Sequence, residues 1–149
     1  MKTQSTTENL SPLGTMCINT VCTQASSCLR YYCAQKQPVN VASYSVLNPN
    51  HLATLKEDTC PYFLPKKKVI FAKGFSLWLE SLSKKDFRTA SNVLKGQYNY
   101  RTYYRMRKGE RLITPHEQAI MKEIIQESGI SQPLKFDTYH EDYLWQSNL

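Results

Sequence analysis

The run N-Y-R-T-Y-Y-R-M-R-K-G, from Asn99 to Gly109, decides how the rest of the chain is read. As a helix it puts Arg101, Tyr104, Arg105 and Lys108 at i, i+3, i+4 and i+7, which is one face of the rod. Tyr103 and Met106, three apart, point elsewhere and are candidates for burial. A basic stripe backed by an apolar flank is the pattern of a helix lying along a phosphate backbone. Arg111, two residues past Gly109, extends the cationic set.

Downstream, Thr114-Pro115-His116-Glu117 is a helix start: Thr as N-cap, Pro at the first helical position, Glu placed to close a capping box. Ile120, Met121, Ile124 and Ile125 form the buried stripe of that helix, and Gly129 is its expected stop. Upstream, Ser83 caps a helix in which Phe87, Ala90, Val93 and Leu94 keep helical spacing. Gly96 is expected to end it, with Tyr98-Asn99 as a tight connection to the basic run. Before it, Phe75, Leu77, Trp78, Leu79 and Leu82 make a short apolar helix. Two short strands are expected further back: Val69–Ala72, after three lysines and before Gly74, and a looser alternation from Val39 to Leu47 that ends at Asn48-Pro49.

These readings give an α+β protein, with a small cysteine-rich N-terminal module of one or two short strands and a mainly helical C-terminal half. The expected division is a flexible polar tail over 1–14, a cysteine-bound module over 15–74, a helical segment over 75–130, and an acidic aromatic tail over 131–149 packed on the core. Phe136, Tyr139, Tyr143 and Trp145 are the expected anchors of that last segment. With 41% hydrophobic and 21% charged residues in 149, the composition is globular.

The net charge of +7 is unevenly spread. Residues 66–113 hold thirteen Lys/Arg against three Asp/Glu, whereas 114–149 hold two against six. Such a local excess is an electrostatic footprint for a polyanion. No apolar stretch in Met1–Gly14 reads as a secretory signal, and the longest purely apolar run, Val69–Ala72, is too short to span a bilayer. A cytoplasmic protein with no membrane partner is therefore expected.

Five cysteines, an odd number, point away from a disulfide framework in that compartment. Thiolates ligate zinc or iron–sulfur clusters, and four converging sulfurs complete a tetrahedral shell. Cys17, Cys22, Cys28 and Cys60 are the candidate ligands. Cys60 lies in the phrase T-C-P-Y-F, and a cysteine followed by proline is a common last ligand of ferredoxin-like clusters. The spacings match neither ferredoxin pattern nor a tight zinc knuckle, so the metal stays open between zinc and an iron–sulfur cluster. Cys33, after Tyr31-Tyr32 in a short helix, is read as a spare that packs as a small hydrophobe, and His51 as a loop residue. No phosphate-binding glycine loop, G-x-S-x-G elbow or H-E-x-x-H pair occurs, and Asp137, Glu141 and Asp142 read as a solvated acidic face. No enzymatic activity is expected.

Helix, turn and basic helix in succession resemble the phage-repressor-like helix-turn-helix class, carried by Asn99, Thr102, Tyr103, Arg105, Met106 and Gly109. The sequence departs from that class at Val93, where Ala is usual, and at Gly96, one residue early for the turn glycine. The resemblance implies nucleic-acid contacts from Arg101, Tyr104, Arg105, Lys108 and Arg111. Over nearly its whole length the chain also resembles an uncharacterised family of small bacterial proteins. The shared phrases are C-x4-C-x5-C, C-P-Y-F, Y-Y-R-x-R-x-G-E-R and T-P-x-E-Q, which imply that the four chosen cysteines belong to one pattern. The expected function is a DNA- or RNA-binding regulatory protein with a structural or redox-sensing metal. The rivals are a small iron–sulfur electron-transfer protein and a metal-free interaction module.

Overall fold

The computed structural model describes residues 14–145, so the expected tail over 1–14 lies almost wholly outside the described residues. The fold is α+β, with six helices and one two-stranded antiparallel sheet among the described residues. The chain divides into two compact units. The first comprises the described residues up to Lys67 and those from Tyr143 onward, and the second is Lys68–Asp142. The boundary thus falls at Lys67/Lys68 rather than at Gly74, and the first strand belongs with the helices.

In the first unit a 3-10 turn over Ala25–Ser27 leads into α1 (Leu29–Gln35), and α2 (Pro49–Leu52) follows. Leu29 and Cys33, one turn apart on α1, are fully buried with Met16 and Leu64, and Tyr32, Tyr143 and Trp145 pack against them. Asn48 accepts a hydrogen bond from the Asn50 N–H (3.1 Å) and Pro49 opens α2, so both orphan-donor devices of a helix start are present. Elsewhere backbone hydrogen bonds join distant segments: Leu29 N–H to Leu64 O at 2.7 Å, Lys66 N–H to Ser27 O at 2.9 Å, Met16 N–H to Ser45 O at 2.9 Å. The strand expected over Val39–Leu47 does not form. Val46 makes one isolated parallel bridge to Met16, and Val39 and Val41 face solvent. Alternation alone, with no apolar face to bury, does not hold a strand.

The second unit runs β1 (Lys68–Lys73), α3 (Ser76–Glu80), α4 (Lys84–Gln97), α5 (Tyr100–Lys108), α6 (Pro115–Glu127) and β2 (Thr138–Tyr143). The starts of α4 and α6, at Ser83 and Thr114, are those read from sequence, whereas Asn99, read as part of a connection, is the cap of α5, which begins at Tyr100. Ser83 accepts from Asp86 N–H, Asn99 from Thr102 N–H, and Thr114 and Glu117 form a reciprocal capping box. Gly96 does not stop α4, which continues to Gln97; the stop is the extended backbone of Tyr98 with Asn99 as the next cap. Gly109 ends α5 at φ 77°, a left-handed conformation that needs no Cβ.

Phe75, Leu79, Leu94, Tyr103, Met106, Ile113, Met121 and Ile125 are at most 1% exposed and form one core. Each contributes on the order of 1.5–3 kcal/mol through apolar burial. Ile113 exchanges two 2.9 Å backbone hydrogen bonds with Ala72, which seats the loop before α6 on β1. The final segment also contributes. Leu134 and Phe136 enter the core, and Asp137 accepts from the N–H groups of Ser76 and Leu77 at the start of α3. Asp137 is therefore a cap rather than part of a solvated face, and β2 was not expected. Tyr139 is 57% exposed, which removes it from the expected anchors.

Candidate metal centre and basic helix face

The five cysteines separate into four and one. Cys33 is fully buried in the apolar cluster of the first unit. Cys17, Cys22, Cys28 and Cys60 all contribute to the wall of a single narrow cavity of about 20 Å³, beside Asn19 and Arg30. A second, more open cavity of about 210 Å³ adjoins Cys17, Cys22 and Cys60 and is rimmed by Glu57 and Asp58. Among the described residues no three Cys, His, Asp or Glu side chains are gathered into a formed metal shell. All five cysteines are free thiols.

Local structure explains how four distant positions reach one cavity. Cys22 and Cys60 sit at the starts of turns, accepting from Ala25 N–H (3.2 Å) and Phe63 N–H (3.2 Å) through their carbonyls. Cys28 is the N-cap of α1 and bridges to Pro65. Thr23 Oγ1 donates to Asp58 Oδ1 at 2.6 Å, which ties the Cys22 and Cys60 loops together. Asp58 itself has φ 64°, an uncommon conformation for a residue with a side chain. Burial pushes the Cys17 thiol up from its ordinary value, the Asn19 backbone N–H at its sulfur pulls it down, and negative charge on Cys28, Cys22 and Cys60 raises it again.

Arg30 is the residue that reading by motif missed. Its Nε donates to Tyr62 O at 2.9 Å, its Nη1 to Thr15 O at 2.6 Å, and its own carbonyl accepts from Cys17 N–H at 3.2 Å. The available signal was its place two residues after Cys28, as the only cation between Thr15 and Gln35. His51 lies in α2 with its ring 3.0 Å from the Tyr62 hydroxyl and does not line the narrow cavity.

In the second unit, α5 buries Tyr103 and Met106 and presents Arg101, Arg105 and Lys108 to solvent, with no ion pair to any described residue. Arg107 instead covers the Phe87 ring at 5.6 Å. Tyr104 is half-buried against the core, 4.5 Å from the exposed Tyr100 ring and 5.4 Å from Lys95 Nζ. The hydrogen bond between the two phenols lowers Tyr104 and raises Tyr100, and Lys95 adds to the lowering. Arg111 does not extend the stripe. It is half-buried and its Nη2 lies 2.8 Å from Glu117 Oε1, inside the capping network of α6. The connection between α4 and α5, Tyr98-Asn99, is also shorter than the three or four residues usual in a helix-turn-helix.

Fold and site together define a two-unit α+β protein with a four-thiol cavity in one unit and a capped basic helix in the other. The chain belongs to a family of unknown function, DUF6078, whose model matches residues 1–145. Comparison with curated proteins and with solved structures finds no match. No helix among the described residues is long and apolar enough to cross a membrane.

Proposed function

We propose that this protein is a metal-containing, nucleic-acid-binding regulator. Cys17, Cys22, Cys28 and Cys60 hold the metal, zinc or an iron–sulfur cluster, that organises the first unit. The observation carrying this reading is that these four thiols share one cavity while Cys33 lies in the apolar core. The first unit has little regular structure and a small core, the situation in which a structural metal supplies folding energy. Protein purified without oxygen is expected to carry stoichiometric metal by elemental analysis. Cys17→Ala or Cys60→Ala loses it and Cys33→Ala keeps it. Metal-free protein from such a preparation would remove this reading.

The second unit supplies the grip on DNA or RNA through Arg101, Arg105 and Lys108, with Tyr104 at the edge of the stripe. What supports it is their exposure on one face of α5, with no ion pair to any described residue, in the segment with the +10 excess. Lysines and arginines in that setting neutralise phosphates and release counterions. Fluorescence anisotropy with a labelled oligonucleotide at low salt is expected to show binding that weakens as salt rises. Arg101→Ala with Arg105→Ala should cut affinity by at least about tenfold and flatten the salt slope by about two. Binding that ignores both substitutions would assign the contact elsewhere.

A further inference from the structure

At the junction of α4 and α5 an aromatic ring stands in solvent among cations. Tyr100, the first residue of α5, is 71% exposed, more than any other large apolar side chain of the second unit. Its ring lies 4.5 Å from that of Tyr104, and the two phenols share a hydrogen bond. Tyr104 in turn meets the Tyr103 ring edge-on at 5.1 Å. Tyr103 is fully buried, and its hydroxyl donates to Ser91 Oγ at 3.2 Å. The outermost ring is thus tied to the core through two others. A ring held in place before it binds loses little conformational entropy when a ligand stacks on it.

Lys95, in the last turn of α4, joins the basic faces of the two helices. Its Nζ lies 5.9 Å from the centre of the Tyr100 ring and 5.4 Å from that of Tyr104. Arg88 and Asn92, both exposed, precede it at helical spacing on the same face of α4. On α5 the exposed Arg101, Arg105 and Lys108 lie beyond the tyrosines. Neither Arg88 nor Lys95 forms an ion pair with any described residue. With α4 counted, the ring pair has cations on both sides.

Paired and unpaired strands differ in what they offer such a surface. A duplex keeps its bases stacked on one another and shows a protein only base edges and phosphates. An unpaired strand presents whole base faces beside the same phosphates, and these stack on aromatic rings set among lysines and arginines. Resting on the nucleic-acid reading above, we infer that this surface binds single-stranded nucleic acid, with a base stacked on Tyr100, Tyr104 backing that ring and Lys95 neutralising a neighbouring phosphate. The chemistry recognised is an unpaired base on a phosphate chain, common to RNA and DNA.

The test is fluorescence anisotropy with the full chain and four labelled probes of equal length. These are a single-stranded RNA, the single-stranded DNA of the same sequence, the DNA duplex, and an abasic single strand. The single strands are expected to bind more tightly than the duplex at the same salt, and the tighter of the two supports the inference and names its source. Tyr100→Ala should weaken single-strand binding by roughly 5- to 150-fold. It should leave duplex binding and the salt slope unchanged, because no charge is removed. Tyr100→Phe keeps the stacking face and should stay within about twofold of the original protein. The abasic strand should bind as weakly as the intact strand binds Tyr100→Ala, and that substitution should weaken it no further. Lys95→Gln should flatten the single-strand salt slope by about 0.7.

A duplex bound at least as tightly as both single strands, or an abasic strand bound as well as the intact one, would overturn the single-strand inference and leave the nucleic-acid reading standing. An intact strand that ignores Tyr100→Ala would overturn the role of that ring. No binding of any probe at micromolar protein would remove both readings. If Tyr100→Ala does not fold, the abasic strand decides alone, because it leaves the protein untouched.

Discussion

Tyr98 shows how one side chain can be left with a cost. Its hydroxyl is buried with no hydrogen-bond partner among the described residues. Burial, reinforced by the Glu117 charge and opposed by Arg111, pushes its pKa above the ordinary tyrosine value. The neutral phenol is favoured in the folded state, so this contribution to stability is complete below about pH 10 and is lost as pH rises through the elevated value. Tyr98→Phe removes the unsatisfied group and is expected to stabilise by up to about 1 kcal/mol. It should also flatten the loss of stability on the alkaline side, as read by urea unfolding at several pH values. Gly109 is the opposite case, a position where any side chain costs. A Cβ there would meet Lys73 Cγ at 3.0 Å, and the backbone is left-handed. Gly109→Ala is expected to lower stability by about 1–2 kcal/mol.

Among the elements, α6 depends on one carboxylate. Glu117 accepts from Thr114 N–H at 3.0 Å, from Thr114 Oγ1 at 3.2 Å and from Arg111 Nη2 at 2.8 Å. Removing its cap partner with Thr114→Ala should cost about 1 kcal/mol, measured as a fall in the urea midpoint at unchanged m-value. The short helix α3 is held differently, by Asp137 from the far end of the unit. Gly74 makes that contact possible, because a Cβ in its place would come within 2.6 Å of Asp137 Oδ2. Asp137→Ala is therefore expected to fray the start of α3 and to speed amide exchange at Ser76 and Leu77, while α4 and α6 keep their protection.

For the whole molecule, the consequence of two units with separate cores is separable stability. Among the described residues, the second unit has a core of fourteen buried residues and the first a cluster of five. A metal that ties the first unit together should govern its opening alone. Chelation is expected to accelerate hydrogen exchange around Leu29, Cys33 and Leu64 by orders of magnitude, leaving Leu94, Tyr103 and Ile125 nearly unchanged. Equal acceleration in both units, or none in the first, would count against a metal that organises only the N-terminal unit.

The long helices were legible in the sequence because their determinants are local. Caps lie within one turn of what they cap, and the apolar stripes of α4, α5 and α6 repeat at helical spacing. The burial of Cys33 as a small hydrophobe was legible too, from its place after Tyr31-Tyr32 in a short helix. Tertiary structure alone decided the rest. β2 pairs with a strand some seventy residues earlier in the chain, and its sequence T-Y-H-E-D-Y has no apolar alternation to announce it. Arg111 left the basic stripe because a carboxylate six residues on was folded back within reach. Arg30 became a clip because irregular backbone, which has no period to read, brought the carbonyls of Thr15 and Tyr62 to its two nitrogens. Contacts set by i to i+4 geometry can be read from neighbours in the sequence; those set by loop closure exist only once the chain has folded.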